Sequence, residues 1–246
     1  MNFAARNLIL STRNAHKAGE IRGVLAGPFR YFTLADFPDA PKVIEDADTF
    51  AGNARKKAAE LSNWLRTNPE ALAKPGLAPQ ESASFVLADD SGLEVDALGG
   101  APGVHSARFA WLGTGRPGNA PDADNNAKLL RQLADVPWEK RTARFRCVIA
   151  LAALTSSEPP GSDRTQHSFA VAERVELFDG ACEGHVGFTT RGNGGFGYDP
   201  LFIPDGFEET FAELGEPTKN RISHRAQALE KLRKWFDQTT GRTGGG

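Results

Sequence analysis

Cysteine is nearly absent, with only Cys147 and Cys182 in 246 residues. Both lie in apolar stretches with no CxxC spacing or nearby histidine pattern, so buried thiols are expected rather than a disulfide staple or metal ligands. A reducing, cytoplasmic setting suits them. Long apolar runs are missing as well. Nothing approaches the roughly 18 residues needed to span a bilayer, and residues 1–9 lack the apolar stretch of a secretory signal, so no membrane association is expected. An excess of charge is also lacking. The 29 Lys and Arg against 31 Asp and Glu leave a formal net charge of -2, which provides no global positive field for coating nucleic acid. A small anionic substrate held by local basic groups stays open.

What is present is ordinary in bulk: 40% hydrophobic and 24% charged residues, the make-up of a globular chain. The length allows one α/β domain with a full core, expected over residues 1–238 with a disordered tail at 239–246. Residues 7–10 read as a buried strand feeding a helix that starts near Asn14. A second helix over residues 49–65 repeats Phe50, Ala54, Ala58, Leu61 and Leu65 on one face, with Asn53 and Lys57 beside that stripe. Residues 67–84 have no firm period and read as a surface excursion.

A strand at residues 85–88 leads to Asp89 and Asp90, followed by extended chain at 93–98 and a glycine turn at 99–103. After a Gly- and Pro-rich loop, Asp122 or Asp124 is expected to cap a helix carrying Leu129, Leu130 and Leu133. Alternation marks residues 143–151 as a strand, and 169–177 as another across a hairpin-like loop at 156–166. A further extended stretch is expected at 186–188, and a last helix after Ser223 buries Leu229, Leu232 and Phe236. Strands and helices mix along the whole chain, which argues for an α/β fold around a mixed sheet.

The chemistry begins with a conflict. Arg13, His16 and Lys17 sit at or inside a helix's first turn, where the positive dipole end favours acids. The conflict recurs at Ser223, which is followed by His224 and Arg225, with Lys219 just upstream. A bound polyphosphate would resolve both, and together the two sites outline a cationic pocket. Asp89 and Asp90 oppose it. Adjacent acids after a buried strand need a neutralising cation, and magnesium, which binds through one or two carboxylates plus phosphates, is the natural partner. The glycine run ending in Phe196, Gly197, Tyr198 and Asp199 offers aromatic faces for a base and one carboxylate.

These residues, in order, resemble the inosine triphosphate pyrophosphatase family. The segment Ser11, Thr12, Arg13, Asn14, Ala15, His16, Lys17 matches its phosphate motif. Similar blocks follow around Asn53 and Lys57, at residues 88–93, at 99–103 with Ser106 and Arg108, at 194–200 and at 222–225. The resemblance implies a two-lobed α/β fold with a long central mixed sheet flanked by helices, a homodimer, magnesium, and cleavage of ITP, dITP or XTP between the α- and β-phosphates. Carried over, residues Thr12 to Lys17 hold phosphates. Asp90 accepts a proton and binds metal, with Glu45 as second ligand. Ser91 touches substrate, Asn53 and Lys57 line the phosphate side, and Phe196, Gly197, Tyr198, Asp199, Lys219, His224 and Arg225 bind the nucleotide.

Arg13 stands where the family often has Gly, and Gly52 where it often has Glu. The stretch Glu45, Asp46, Ala47, Asp48 leaves either of its first two acids as the metal-side group. His224 and Arg225 are the candidate donors to a purine 6-oxo group. The competing readings are a pyrophosphatase for other modified nucleotides and a non-catalytic nucleotide sensor. Against the first stand Phe196 to Asp199 with His224 and Arg225, and against the second the presence of Asp90 and Lys17.

Overall fold

A computed structural model describes residues 6–73, 77, 83–154 and 175–241. The apolar run near the start becomes β1 (Arg6–Leu10), in which Leu8, Ile9 and Leu10 are wholly buried. A strand covered on both faces needs such a continuous run. It lies between β2 (Phe29–Thr33) and β3 (Ser84–Val95), parallel to both. Beyond β3 the sheet turns antiparallel through β4 (Thr142–Ala153), β5 (Val175–Val186) and the short β6 (Phe202–Pro204), in the order β2-β1-β3-β4-β5-β6. This is the mixed α/β sheet with flanking helices that the sequence implied.

Helix α1 (Ala15–Val24) follows β1, and α2 (Phe50–Thr67) follows β2. Along α2, Phe50, Ala54, Ala58, Leu61 and Leu65 pack against Ile9, Val86, Ala88, Val148 and Ala150 on one face of the sheet. On the other face α1 and α5 (His224–Gly241) bury Ile21, Leu229, Leu232 and Phe236 against Leu8, Leu10, Leu87 and Ile149. Each such Leu, Ile or Phe contributes roughly 1.5–3 kcal/mol relative to exposure. A third cluster, at the far end of β3, β4 and β5, joins Leu93, Phe145 and Phe202 to Leu129 of α3 (Asp122–Gln132) and Phe211 of α4 (Phe211–Ile222). Separate cores at the two ends of the long strands make the two lobes.

One glycine brings α5 down onto the sheet. A Cβ at Gly180 of β5 would lie 2.1 Å from the His224 carbonyl and 2.7 Å from the Ala228 nitrogen. Only a bare backbone there lets the first turn of α5, with His224 and Arg225, rest on the sheet.

Several boundaries differ from expectation. Strand β3 does not stop before Asp89 but runs twelve residues through it, because Asp89 and Asp90 are buried and paired rather than turned into a loop. Residues 175–177 of the strand expected at 169–177 and Val186 of the stretch expected at 186–188 belong to one strand, β5, whose Gly180, Gly184, Asp179 and Glu183 hide the pattern; Gly187 and Phe188 lie beyond its end. Residues 169–174 and the loop expected at 156–166 lie outside the described residues. Asp122 does not cap α3; Pro121 holds that position. Helix α4 was not anticipated, since Gly215 (φ 73°, ψ 171°) and Pro217 interrupt its pattern. The expected tail is shorter at its start: α5 continues to Gly241, and the Thr239 hydroxyl donates to the Trp235 and Phe236 carbonyls. Residues 242–246 lie outside the described set. In the excursion at 67–84, Leu77 is fully buried against the α2 core.

Candidate active site

The start of α1 is organised by its own side chains. Asn14 caps it by accepting from the Lys17 backbone N–H at 3.1 Å, and the Asn14 N–H donates to Thr12 Oγ1 at 3.0 Å. No acid occupies its first turn, so the remaining N–H groups and the exposed Arg13, Asn14, Ala15 and His16 stand open to solvent. Anions are favoured there.

Lys17 turns inward, its Nζ 2.5 Å from Asp89 Oδ1. The other Asp89 oxygen accepts from Arg225 Nε at 2.9 Å and lies 3.0 Å from Cys147 Sγ. Arg225, only 1% exposed, also donates to Ser91 Oγ at 2.8 Å and pairs with Glu20. Glu20 in turn accepts from Lys219 Nζ at 2.8 Å, and Lys219 reaches Asp199 Oδ2 at 2.5 Å. The pocket is thus not the cationic one expected: Asp89, Glu20 and Asp199 match Lys17, Arg225 and Lys219. Burial works against the Asp89 charge, but Arg225 and Lys17 outweigh it and hold the carboxyl well below its usual range. Glu20 is likewise lowered by Arg225 and Lys219 against the effect of burial. At Asp199 burial wins over Lys219, and the pKa is raised.

Successive residues of a strand face opposite ways, so Asp90 meets α2 instead. Lys57 Nζ is 3.0 Å from Asp90 Oδ1, 2.7 Å from the Asp89 carbonyl and 3.0 Å from Glu45 Oε2. Asn53 Nδ2 donates to Asp90 Oδ2 at 3.2 Å. Burial, reinforced by the Glu45 charge and only partly countered by Lys57 and Lys17, pushes Asp90 up to about 6. Glu45 goes the other way: burial raises it, but Lys57 and a hydrogen bond with Asp90 lower it overall. Of the two acids open from sequence, Glu45 is at the site. Asp46 is exposed and pairs with Lys56 at 2.6 Å.

Among the described residues no group of three or more His, Cys, Asp or Glu is placed so that it could hold a metal ion by itself. A magnesium-type ion does not require one, because it uses one or two carboxylates and takes its other oxygens from phosphate and water. The donor set fits. Glu45 and Asp90 supply hard oxygens that converge on one ammonium, and the pair's excess negative charge is what a divalent ion would neutralise.

On the loop side, the Phe196 ring stacks on His16 with centroids 5.4 Å apart and planes at 19°, and Lys219 Nζ lies 4.6 Å from its centroid. Gly197 is fixed from α3, its N–H donating to Asp122 at 2.7 Å and its carbonyl accepting from Asn126 at 3.0 Å. Tyr198 is a correction. Its ring is buried in the third core and its hydroxyl donates to the Ser106 carbonyl at 2.9 Å, so it presents no face to a ligand. Arg225 is a second correction, since its guanidinium is engaged by carboxylates and Ser91 rather than free for a base. His224 is different. It is buried and stacked on Phe145 at 4.8 Å and 11°, yet its Nδ1 has no hydrogen-bond partner among the described residues. Burial, with Arg225 and Lys219 nearby, keeps its pKa well below the ordinary value, and so the ring is neutral.

Sequence reasoning missed Glu20, Cys147 and Asn126, and read Asp122 only as a cap. Glu20 carried a signal: it lies three residues after Lys17 on the same helix face. Asp122 and Asn126, four apart, likewise share the face that grips Gly197. Cys147 gave none beyond its apolar setting.

The charge of Lys17 is felt by Asp89, Asp90 and Glu45 alike, so the open start of α1 and the Glu45–Asp90 pair form one site. That defines the class: an α/β protein with a helix start free of acids beside a carboxylate pair whose oxygens are of the kind a hard cation takes. More particularly, the chain belongs to the Ham1 family, whose model matches residues 8–235. It is 44% identical over 225 residues to the dITP/XTP pyrophosphatase of Desulforamulus reducens, covering 91% of this chain and 92% of that one. With the dITP/XTP pyrophosphatase of Geobacter sulfurreducens it shares 44% identity over 227 residues, 92% of this chain and 94% of the other. A solved HAM1 protein from Coxiella burnetii superimposes with a TM-score of 0.68 at 32% identity, over 94% of this chain and 98% of that one.

Proposed function

We propose that this protein hydrolyses non-standard purine nucleoside triphosphates, dITP, ITP and XTP, to the monophosphate and pyrophosphate, and so clears them from the nucleotide pool. The names of its relatives support the substrate class. The observation that carries the chemistry is Asp90, a buried carboxylate raised to about 6 and set against Glu45 and Lys57 beside the open start of α1.

Glu45 and Asp90 would hold magnesium, which when bound neutralises phosphate charge and polarises the anhydride. Asp90 accepts the proton of the attacking water, a role suited to a carboxylate whose pKa lies near the working pH. Lys57, hydrogen-bonded to both carboxylates, keeps them oriented and limits their mutual repulsion. The free N–H groups of α1, with Thr12, Asn14 and Lys17, bind the polyphosphate; Lys17 exchanges part of its interaction with Asp89 for phosphate oxygen. Phe196 supplies a face for the base, and the unpartnered Nδ1 of His224 supplies an edge contact. The protein acts as a homodimer in the cytoplasm on this reading, and the monomer mass in gel filtration would contradict the first of these.

The test is release of pyrophosphate and monophosphate from ITP, dITP, XTP, ATP and GTP side by side, with magnesium and with chelator. Metal-dependent formation of IMP and pyrophosphate, with ATP nearly inert, is expected. Orthophosphate as the product, or no turnover of any substrate, would overturn the reading.

A further inference from the structure

Glu45 is held at the carboxylate pair from a segment with no regular secondary structure, residues 41–47. Its side chain is 41% exposed, so little packing fixes it and its backbone must be positioned by other means. Three contacts do so. Arg108 Nη2 donates to the Glu45 carbonyl at 3.2 Å. The Ala47 N–H donates to Asn53 Oδ1 at 3.0 Å. The segment also lies so close to α2 that a Cβ on Gly52 would be 2.7 Å from the Ala47 Cβ. Gly52, the departure from the family's usual Glu, therefore admits the loop rather than leaving a gap.

Arg108 is itself anchored to the strand that carries Asp90. It belongs to the 3-10 segment Gly103–Trp111, at the one residue of that segment with non-helical backbone angles (φ -122°, ψ 15°). Two residues earlier, Ser106 Oγ accepts from the Leu93 N–H of β3 at 2.9 Å and donates to the Gly103 carbonyl at 2.6 Å. The Arg108 Nη2 also lies 3.1 Å from His105 Nδ1, which steadies the guanidinium. A closed circuit results: β3 holds Ser106, its segment holds Arg108, Arg108 holds the Glu45 backbone, and the Glu45 carboxylate meets Lys57 and Asp90 back on β3.

We propose that Arg108 is a positioning residue which, through the Glu45 carbonyl, fixes the Glu45 carboxylate against Asp90 and so sets the affinity of the site for its divalent ion. The inference rests on the reading of Glu45 and Asp90 as the metal pair. Arg108 touches neither ion nor substrate in this role. Its loss should weaken metal binding rather than the chemical step, by the worth of one hydrogen bond.

The test is binding of Mn2+ to the full-length protein, followed by electron paramagnetic resonance with and without a non-hydrolysable α,β-imido triphosphate, in wild type, Arg108→Ala, Arg108→Lys and Glu45→Gln. Arg108→Ala is expected to weaken Mn2+ about three- to tenfold, Arg108→Lys to restore much of that, and the turnover lost at limiting metal to return at saturating metal. Gly52→Ala, which pushes the loop off α2, should shift Mn2+ affinity in the same direction and serves if Arg108→Ala does not fold. Wild-type Mn2+ affinity in both folded variants would overturn the proposal, as would a raised KM for nucleotide with unchanged Mn2+ binding. If Glu45→Gln also bound Mn2+ as wild type does, the metal pair itself would be wrong; if only Glu45→Gln weakened it, Arg108 alone would be.

Discussion

Asp89 and Asp90 are neighbours in sequence and stand back to back across the sheet, Asp89 2.9 Å from Arg225 on one face and Asp90 3.0 Å from Lys57 on the other. The geometry divides their work. Asp89 ties α1 and α5 to β3 through Lys17 and Arg225. Asp90 faces the carboxylate of Glu45 and keeps a raised affinity for protons.

Asp89→Asn should therefore be a stability variant. It leaves the buried Arg225 and the half-buried Lys17 without their shared anion, and breaking such a buried pair costs about 3–5 kcal/mol. Because the Asp89 pKa lies well below 3.8 in the fold, its stabilising contribution is present above the unfolded value and lost as pH falls through the folded one. Denaturant unfolding at neutral pH should show a clearly lower midpoint. An unchanged midpoint would mean that the network contributes nothing net.

Asp90→Asn should do the reverse. The amide oxygen can still accept from Lys57, and only the Asn53 contact is lost, its NH2 then facing another NH2. The fold therefore persists, with circular dichroism like wild type and a melting temperature lowered by a few degrees at most. The proton acceptor and one metal oxygen are gone, and general-base loss alone is worth about 10²–10⁴-fold in rate. Near-normal turnover in a folded Asp90→Asn protein would remove Asp90 from the mechanism.

Metal affinity should depend on pH in a way that reports Asp90. Its carboxyl is raised from 3.8 to about 6, so below that value an incoming cation must displace a proton. Affinity for Mn2+ should then rise by up to about tenfold per pH unit below the midpoint and level off above it, because a ligand has to be deprotonated to bind. Calorimetric titrations at several pH values in buffers of different ionisation enthalpy would count the proton released. Flat affinity between pH values on either side of about 6 would exclude Asp90 as ligand.

Much of this was legible beforehand, and for physical reasons. The apolar run of β1 and the period of α2 are local patterns, and each became the element expected; the cations at two helix starts, Lys17 and Arg225, come together on Asp89. What sequence could not give was pairing. Lys219 and Arg225 read as free cations because their carboxylate partners, Glu20, Asp89 and Asp199, come from distant segments. Tyr198 read as ligand-facing because a glycine run looks open, whereas the third core captures the ring and Ser106 its hydroxyl. Strand β3 read as ending at its acids because a buried carboxylate is costly unless paired, and the pairs form only when α1, α2 and α5 pack on it.

His224 is the residue from which base selectivity should be measurable. Its ring is neutral and buried, stacked on Phe145, with Nδ1 unpartnered among the described residues. An orphaned buried polar atom costs about 1–3 kcal/mol, which a ligand contact can return. If Nδ1 carries the proton when nucleotide is bound, it donates to a purine 6-oxo group and meets the donor amino group of ATP unfavourably; one such mismatch supports tens- to hundreds-fold discrimination. His224→Phe keeps the ring against Phe145 and removes both nitrogens. The ratio of kcat/KM for ITP over ATP should fall by roughly tenfold or more, mostly through loss on ITP, while metal dependence and the product pair stay the same. Equal losses on ITP and ATP would show that His224 supports the first turn of α5 and does not read the base.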